Sequence, residues 1–314
     1  MRHLVLLSIA FLLVLCVSAQ NNTKEKKEKP ATAWKPGGTF TLIAGQSGTR
    51  NWAPTGSEKL TLSATANLIL WANKKWGRNS FDNTADLAYG MIYTHEHKST
   101  KIEDKIDIYS KYSYSLKGIT SLGIVTALRT QFTNAYDNDV TPRKRISGFF
   151  APAYLTFSPG VQFHTKNPWL SVHAGPAVRW VIVTNAPYSL VNQGGIDPDG
   201  KTERTLAELY GVNPAEQVRF EIGAYVSAVI KKEIMKNVMV RSRVDFHSDA
   251  RRDEPFQIDV YWTNSILMSV NKWLKVNYSF DLYHDKDVKM FGPEKNEDKN
   301  QVKSLLGVGL GLVF

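Results

Sequence analysis

The chain has a single cysteine, Cys16, in 314 residues. Cys16 lies inside an apolar leader. Once such a leader is removed, no thiol, disulfide or cysteine-based metal site is left. Long hydrophobic runs are equally scarce. The only one, residues 4–17, falls short of the roughly 20 residues that a spanning helix needs. No segment sustains a helical period of apolar residues, so the chain reads as all-β.

The leader has the parts of a secretory signal peptide at residues 1–19. Arg2 supplies the charge, residues 4–17 the apolar core, and Val17-Ser18-Ala19 the small-residue cleavage site before Gln20. A lipoprotein signal would want a small residue before Cys16, and Leu15 is large. Residues 20–36 contain Lys24-Glu25-Lys26-Lys27-Glu28-Lys29, charge without apolar period, and predict a solvated, flexible periplasmic leader.

Residues 37–314 predict one domain of about twelve strands. The segments are 39–46, 59–71, 81–95, 102–116, 121–132, 146–158, 169–183, 218–230, 238–247, 257–269, 273–283 and 302–314. Along several of them apolar and polar residues alternate. Val238, Val240, Val244 and Phe246 oppose Met239, Arg241, Arg243, Asp245 and His247. Leu274, Val276, Tyr278, Phe280 and Leu282 oppose Lys275, Asn277, Ser279 and Asp281.

A soluble barrel or sandwich would show the same alternation with its apolar face inward. Two further features favour the inverted, membrane-embedded case. The connections alternate between short and long. One set is 72–79, 117–120, 159–168, 231–237 and 270–272; the other is 47–58, 96–101, 133–145, 184–217, 248–256 and 284–301. Short periplasmic turns and long outer loops are the outer-membrane pattern, with both termini in the periplasm. The last segment, Ser304 to Phe314, carries Leu306, Val308, Leu310, Leu312 and Phe314 on one face and Gly307, Gly309 and Gly311 on the other. A free apolar edge strand invites aggregation, whereas a closed barrel pairs both its edges. This ending is similar to the C-terminal assembly signal of bacterial outer-membrane proteins. Gly309, Leu312 and Phe314 stand at the positions of its glycine, hydrophobe and terminal aromatic; Gly307 stands where a polar residue is usual.

A family resemblance runs over most of the mature chain. It rests on Trp34-Lys35-Pro36-Gly37-Gly38, Gln46 with Asn51-Trp52-Ala53, Ala88-Tyr89-Gly90, Glu103-Asp104-Lys105, Ser110-Lys111-Tyr112, Thr130-Gln131-Phe132 and Ile146-Ser147-Gly148-Phe149-Phe150-Ala151-Pro152-Ala153-Tyr154. The sequence resembles a Bacteroidetes-type outer-membrane β-barrel family known only as a domain of unknown function. It departs from that pattern at Pro54-Thr55-Gly56, where the family tends to have a glycine pair. The resemblance implies an outer-membrane barrel and no particular substrate.

The inward faces predict a charged lumen of Asp82, Asp86, Lys105, Asp107, Lys111, Arg129, Arg179, Arg219, Glu221, Arg241, Arg243, Asp245, Asp259, Lys275 and Asp281. Arg219, Glu221, Arg241, Arg243, Asp245 and Asp259 fall on successive strands and are expected to form one paired network, since an unpaired buried charge is costly. Such a lumen is a polar, largely filled interior or a narrow pore. Pro152 and Pro176 fall inside expected strands, where bulges are expected. Trp71, Trp76, Trp169 and Trp273 fall at expected periplasmic strand ends and read as an aromatic girdle.

Other chemistry is thin. His95, His97, His247 and His284 sit at expected outer strand ends, on strands that need not be neighbours, so no metal and no cofactor is expected. His97-Lys98-Ser99 offers a histidine and a serine on one face, as in an outer-membrane phospholipase, but with no evident asparagine to orient the pair. The expectation is no enzyme, with a lipolytic enzyme of the phospholipase type as the alternative. The net charge of +10 is concentrated in the leader and the expected periplasmic turns, which fits anionic headgroups rather than nucleic acid. Expected partners are outer-membrane lipid, the barrel-assembly machinery at the terminal strand and an unidentified small solute.

The 184–217 connection carries the turn signals Gly194-Gly195, Asp197-Pro198-Asp199-Gly200 and Asn213-Pro214, with a short helix expected over 202–210. An epitope inserted at Gly200 is therefore expected to be reached by antibody on intact cells. Labelling only after outer-membrane lysis would refute the topology.

Overall fold

The computed structural model describes residues 33–49, 59–94, 98–137, 144–165, 169–184, 204–250, 257–291 and 297–314. The signal peptide and residues 20–32 of the leader lie outside the described residues, as does Gly200; Lys35 and Pro36, expected in the leader, belong to the first strand. Twelve strands close into one antiparallel barrel: β1 (Lys35–Thr49), β2 (Lys59–Trp76), β3 (Asn79–Thr94), β4 (Lys98–Ser115), β5 (Thr120–Thr130), β8 (Ala153–His164), β9 (Leu170–Ile182), β10 (Val218–Met235), β11 (Val238–Asp249), β12 (Ile258–Ser269), β13 (Leu274–His284) and β14 (Gln301–Val313). A separate hairpin, β6 (Ala135–Asp137) and β7 (Lys144–Ser147), stands in the β5–β8 connection. No helix among the described residues is long and apolar enough to cross a membrane.

Ring closure falls to the first and last strands. Thr39 stands opposite Val313 and Ile43 opposite Gly309. Beyond the last ladder pair, Gly38 N donates to Phe314 O at 2.9 Å and Phe314 N to Gly38 O at 3.0 Å. The seam ladder is short, five pairs and the Gly38–Phe314 bonds, and over that stretch both edges of the ring are joined.

Alternation divides the side chains. Val308 and Leu310 of β14, Ile222 of β10 and Ile124 of β5 are exposed on the outside, and the rings of Trp180–Phe220 and Trp262–Phe280 pack edge-on between neighbouring strands. Inward positions carry the charges, together with tyrosines such as Tyr109 and Tyr225 and small or polar residues. Gly309 comes so close to the Leu42 carbonyl of β1 that a Cβ would collide with it. The glycine face of the terminal strand is thus a close-approach surface at the seam.

One end of the ring is closed by tight turns. Gly77-Arg78 joins β2 to β3 and Lys236-Asn237 joins β10 to β11. Gly77 has φ +53° at the first loop position, as a two-residue II′ hairpin requires, and Asn237 has φ +66° in a loop that follows a register shift between Glu233 and Met235. Several strands therefore run further toward this end than the sequence predicts. Lys231 and Lys232 belong to β10, and Lys74 and Lys75 to β2, rather than to turns.

The expected strand 146–158 is displaced. Ile146 belongs to the β6–β7 hairpin, Gly148 and Ala151 bridge in a tight loop, and the wall strand starts only at Ala153. Pro152, with no donor for a ladder, marks the boundary. The strand then continues through Pro159, which the sequence reading assigns to a turn. No bulge forms at Pro176. Instead the β8–β9 ladder is interrupted between the Phe157–Val178 and Val161–Ala174 pairs and resumes in the same register, with Pro159 and Pro176 facing each other at the middle of the gap. Ser158 Oγ donates to the freed Pro176 carbonyl at 2.8 Å.

At the opposite end, connections fold over the mouth. A one-turn helix, α1 (Leu206–Leu209), is closed by a Thr205–Glu208 capping box. Leu206, Leu209, Tyr210, Val212 and Val288 form an apolar cluster with Val181 and Val183. Tyr210 OH donates to the Ile146 carbonyl at 2.7 Å and Lys289 N to the Leu209 carbonyl at 3.0 Å. Three connections thus build a cap with its own small core.

Deleting Phe314 removes the last two seam hydrogen bonds, and Leu312→Asp puts a charge on the outer face. Each change is expected to reduce membrane-inserted, heat-modifiable protein sharply. Normal yields of inserted protein from both variants would contradict this account of the seam.

Candidate functional site

The chemistry of this chain is inside the ring, where charges form an upper group under the capped mouth and a middle group below it, with further pairs alongside. Nearest the cap, Glu221 of β10 is fully buried and serves three partners. It pairs with Arg179 of β9, accepts hydrogen bonds from Arg219 Nε at 3.0 Å and Nη2 at 2.6 Å, and lies 3.0 Å from His247 Nε2. Arg179 also pairs with Asp259 of β12, which is three strands away around the ring. Arg219 extends upward to Asp287 at 2.6 Å and to the Gly211 carbonyl at 2.8 Å, so this group ties the wall to the cap.

The middle group bridges opposite walls. Arg129 of β5 pairs with Asp245 of β11, and Arg243 of β11 pairs with Asp107 of β4. Two longer contacts complete a square, Arg243–Asp245 at 3.1 Å and Arg129–Asp107 at 3.9 Å. Tyr225 OH donates to Asp245 at 2.9 Å, and the Arg129 guanidinium lies 3.8 Å from the centre of the Tyr261 ring. Asp107 and Asp245 are 4 % and 3 % exposed, so both carboxylates are withdrawn from bulk water. Side chains that meet from opposite walls leave little lumen between them.

Flanking pairs are Lys303 with Glu103 at 2.8 Å and Asp281 at 3.1 Å, and Lys105 with Asp86 at 2.8 Å. Cavities remain between these groups. One of about 450 Å³ lies under the cap, lined by Tyr154, Tyr210, Tyr261 and Tyr283 among others. One of about 150 Å³ lies toward the turn end, beside Trp71 and Arg241. Lys105 and Asp281 line both.

Of the six residues expected to form one network, five pair, in two separate groups. Arg219, Glu221 and Asp259 belong to the upper group and Arg243 and Asp245 to the middle one. Arg241 does not join. Its ladder partners are Lys231 and Ser265, neither of them an acid, and its guanidinium lies 5.2 Å from the centre of the Trp71 ring. Trp71 is accordingly not a girdle residue. It lines the inner cavity, because β2 runs on past it to Trp76. Trp76 ends β2, and Trp169 and Trp273 directly precede β9 and β13 at the turn end.

Asp107, Arg129 and Arg179 are inside as the alternation predicts, as are their partners Arg243, Asp245, Glu221 and Asp259, but the alternation does not say which meets which; Glu103 and Lys303 follow the same alternation and are absent from the expected set. Asp287 comes from a loop and gives no such signal. His247 is buried against Glu221, and His284 ends β13; His95 and His97 lie outside the described residues. Ser99 is opposite Tyr93 in the β3–β4 ladder.

A family model described as "Protein of unknown function (DUF3078)" matches residues 44–136. No curated protein matches the chain in sequence. Among solved structures, the translocator domain of autotransporter NalP from Neisseria meningitidis is 9 % identical, with 98 % of this chain and 95 % of that one covered, at a TM-score of 0.37. The COG4313 outer membrane channel from Pseudomonas putida F1 is 10 % identical over 93 % of this chain and all of that one, at 0.38. The NanC porin is 7 % identical over 87 % and 98 %, at 0.36. These scores are low, and the fold stands on the chain's own closed ladder.

Glu221→Gln leaves two guanidinium groups short of a carboxylate. It is expected to cost roughly 3–5 kcal/mol of stability. Glu233→Gln, at an exposed site on β10, is expected to stay within about 0.5 kcal/mol of the parent. Unfolding in denaturant, followed by intrinsic fluorescence, checks both.

Proposed function

We propose that the protein is an outer-membrane β-barrel of the Bacteroidetes type that serves as a narrow, charge-gated passive channel or as a structural component of that membrane. Short turns lie in the periplasm and capped loops outside. Lipid meets the apolar outer face, and the terminal strand ending at Phe314 is what the assembly machinery would engage. The leader is removed near Ala19 on export. No solute is assigned.

The observation that carries this reading is the square of Arg129, Asp107, Arg243 and Asp245 spanning the ring. An open general pore keeps its wall charges apart and hydrated. Here guanidinium and carboxylate groups from opposite walls meet, so a passing ion must displace or thread between them. The low dielectric of a largely filled interior strengthens each pair and excludes an unpaired ion. With both signs present, the conductance expected of the native barrel is small and weakly selective.

Planar-bilayer recording of the refolded barrel tests this. The double change Asp245→Asn, Asp259→Asn takes one carboxylate from Arg129 and Arg243 and another from Arg179, leaving fixed positive charge that draws in water and anions. It is expected to raise conductance, shift selectivity toward anions and lower thermal stability. A native barrel that already conducts like a wide porin would defeat the proposal, and so would a double mutant with unchanged selectivity. A phospholipid-hydrolysis assay on the same preparation is expected to show no turnover.

A further inference from the structure

Five arginines enter the lumen from the wall strands: Arg129, Arg179, Arg219, Arg241 and Arg243. Among the described residues, Arg241 alone has no carboxylate within 4 Å. Its nearest ladder neighbour makes matters worse. Arg241 on β11 is paired in register with Lys231 on β10, both on the inner face. Like charges directly opposite each other across a ladder repel. Lys231 has no carboxylate partner either. Both cations rest on the same side chain, with Lys231 Nζ and the Arg241 guanidinium each 5.2 Å from the centre of the Trp71 ring.

The carboxylates that face this end of the lumen are already engaged. Asp86 accepts from Lys105 at 2.8 Å, and Asp82 lies 3.8 Å from Lys111. A further cation nearby, Lys275, is buried and held by neutral oxygens, Ser269 Oγ at 2.9 Å and the Asn271 carbonyl at 3.3 Å. So the turn end holds five cations, Lys105, Lys111, Lys231, Arg241 and Lys275, against the two carboxylates Asp82 and Asp86, whereas in the groups nearer the cap the acids equal or outnumber the cations. An arginine cannot escape such a site by losing its proton. A cation–π contact to one indole is a weaker partner than an anion.

Beside this pair lies the cavity of about 150 Å³, lined by Trp71, Lys231 and Arg241 with Thr84 and Asn67, and also by the carboxylates Asp86, Glu103, Asp107 and Asp281, each of them paired with Lys105, Lys303 or Arg243. That is room for a few waters or one small oxyanion. We infer that the turn-end lumen is a binding site for a small free oxyanion, a phosphate, sulfate or carboxylate group held between Arg241 and Lys231 over Trp71. The guanidinium fork supplies two parallel donors and the ammonium a third. The bound anion would also relieve the repulsion between the two cations, so binding and barrel stability are coupled. The site lies in the same lumen as the proposed channel, but the inference concerns equilibrium binding and not conduction.

Calorimetric titration of the detergent-solubilised barrel with inorganic phosphate at low salt tests it. The native protein is expected to bind, more weakly as salt is added, and its melting temperature is expected to rise with phosphate. Arg241→Gln and Lys231→Gln should each weaken binding at least about tenfold, the loss of one charge-assisted contact. Both should fold, because each removes a repulsion, and their melting temperatures should respond little to phosphate. Lys232→Gln, one residue along β10 and beside Trp169, should bind like the parent. A native barrel without phosphate binding, or equal binding by Arg241→Gln, would overturn the inference. So would a loss in Lys232→Gln as large as in Lys231→Gln. Dihexanoyl phosphatidylglycerol tests the other source of the same group; binding of that lipid with none of free phosphate would also overturn it. A barrel that conducts but binds no phosphate fails here alone, and one that binds without conducting fails only the channel reading.

Discussion

Everything in this molecule depends on the joining of its first strand to its last. A ladder with an open edge leaves a row of peptide donors and acceptors without partners, and in a nonpolar surrounding each such group is expensive. The Gly38–Phe314 pair and the register from Thr39–Val313 to Ile43–Gly309 join that edge over the stretch they cover. Once the ring is closed, each strand has one face outside and one inside. The inside of a ring this small is a place where side chains from opposite walls touch. Closure therefore converts a sequence of alternating residues into an apolar exterior and a charged interior.

The interior charges then have two possible fates. Paired across the lumen, they brace the wall; unpaired, they must hold something else. Arg129, Asp245, Arg243 and Asp107 take the first course, joining β5 and β4 to β11 across the barrel. Arg241 and Lys231 have no acid opposite and share Trp71 instead. The difference comes down to register: two residues further along β11, the arginine side chain at position 243 faces a wall that supplies Asp107.

How much of this was legible beforehand follows the range of the interaction. The alternation of Val238 to His247 is local, and the strand and its inward charges could be read from it. So could the asymmetry of short and long connections, and the terminal strand. Ladder breakers were legible as places but not as outcomes. Pro152 ended a loop, and Pro176 opened a gap without shifting the register. Partners across the lumen were not legible at all. Arg129 and Asp245 lie far apart in the chain, and which inward charge meets which depends on the ring's closure and tilt. The same holds for Trp71. A tryptophan expected near a strand end suggested a girdle, but β2 continued for five more residues and turned it into a wall of the cavity.

The cap at the mouth obeys a different physics from the wall it covers. The wall keeps its apolar groups on the outside, where lipid would be no worse a neighbour than protein, so its stability owes little to the exclusion of water. The cluster of Leu206, Leu209, Tyr210, Val212 and Val288 is an aqueous core in miniature, assembled because water rejects it. A solute such as urea, which solvates apolar and peptide groups in water, weakens the second kind of order directly and reaches the first only with difficulty. Cooling acts in the same selective way, because the hydrophobic drive fades as temperature falls while hydrogen bonds and ion pairs remain. The protein thus joins two materials at one rim, with Arg219 and Asp287 as the rivet between them.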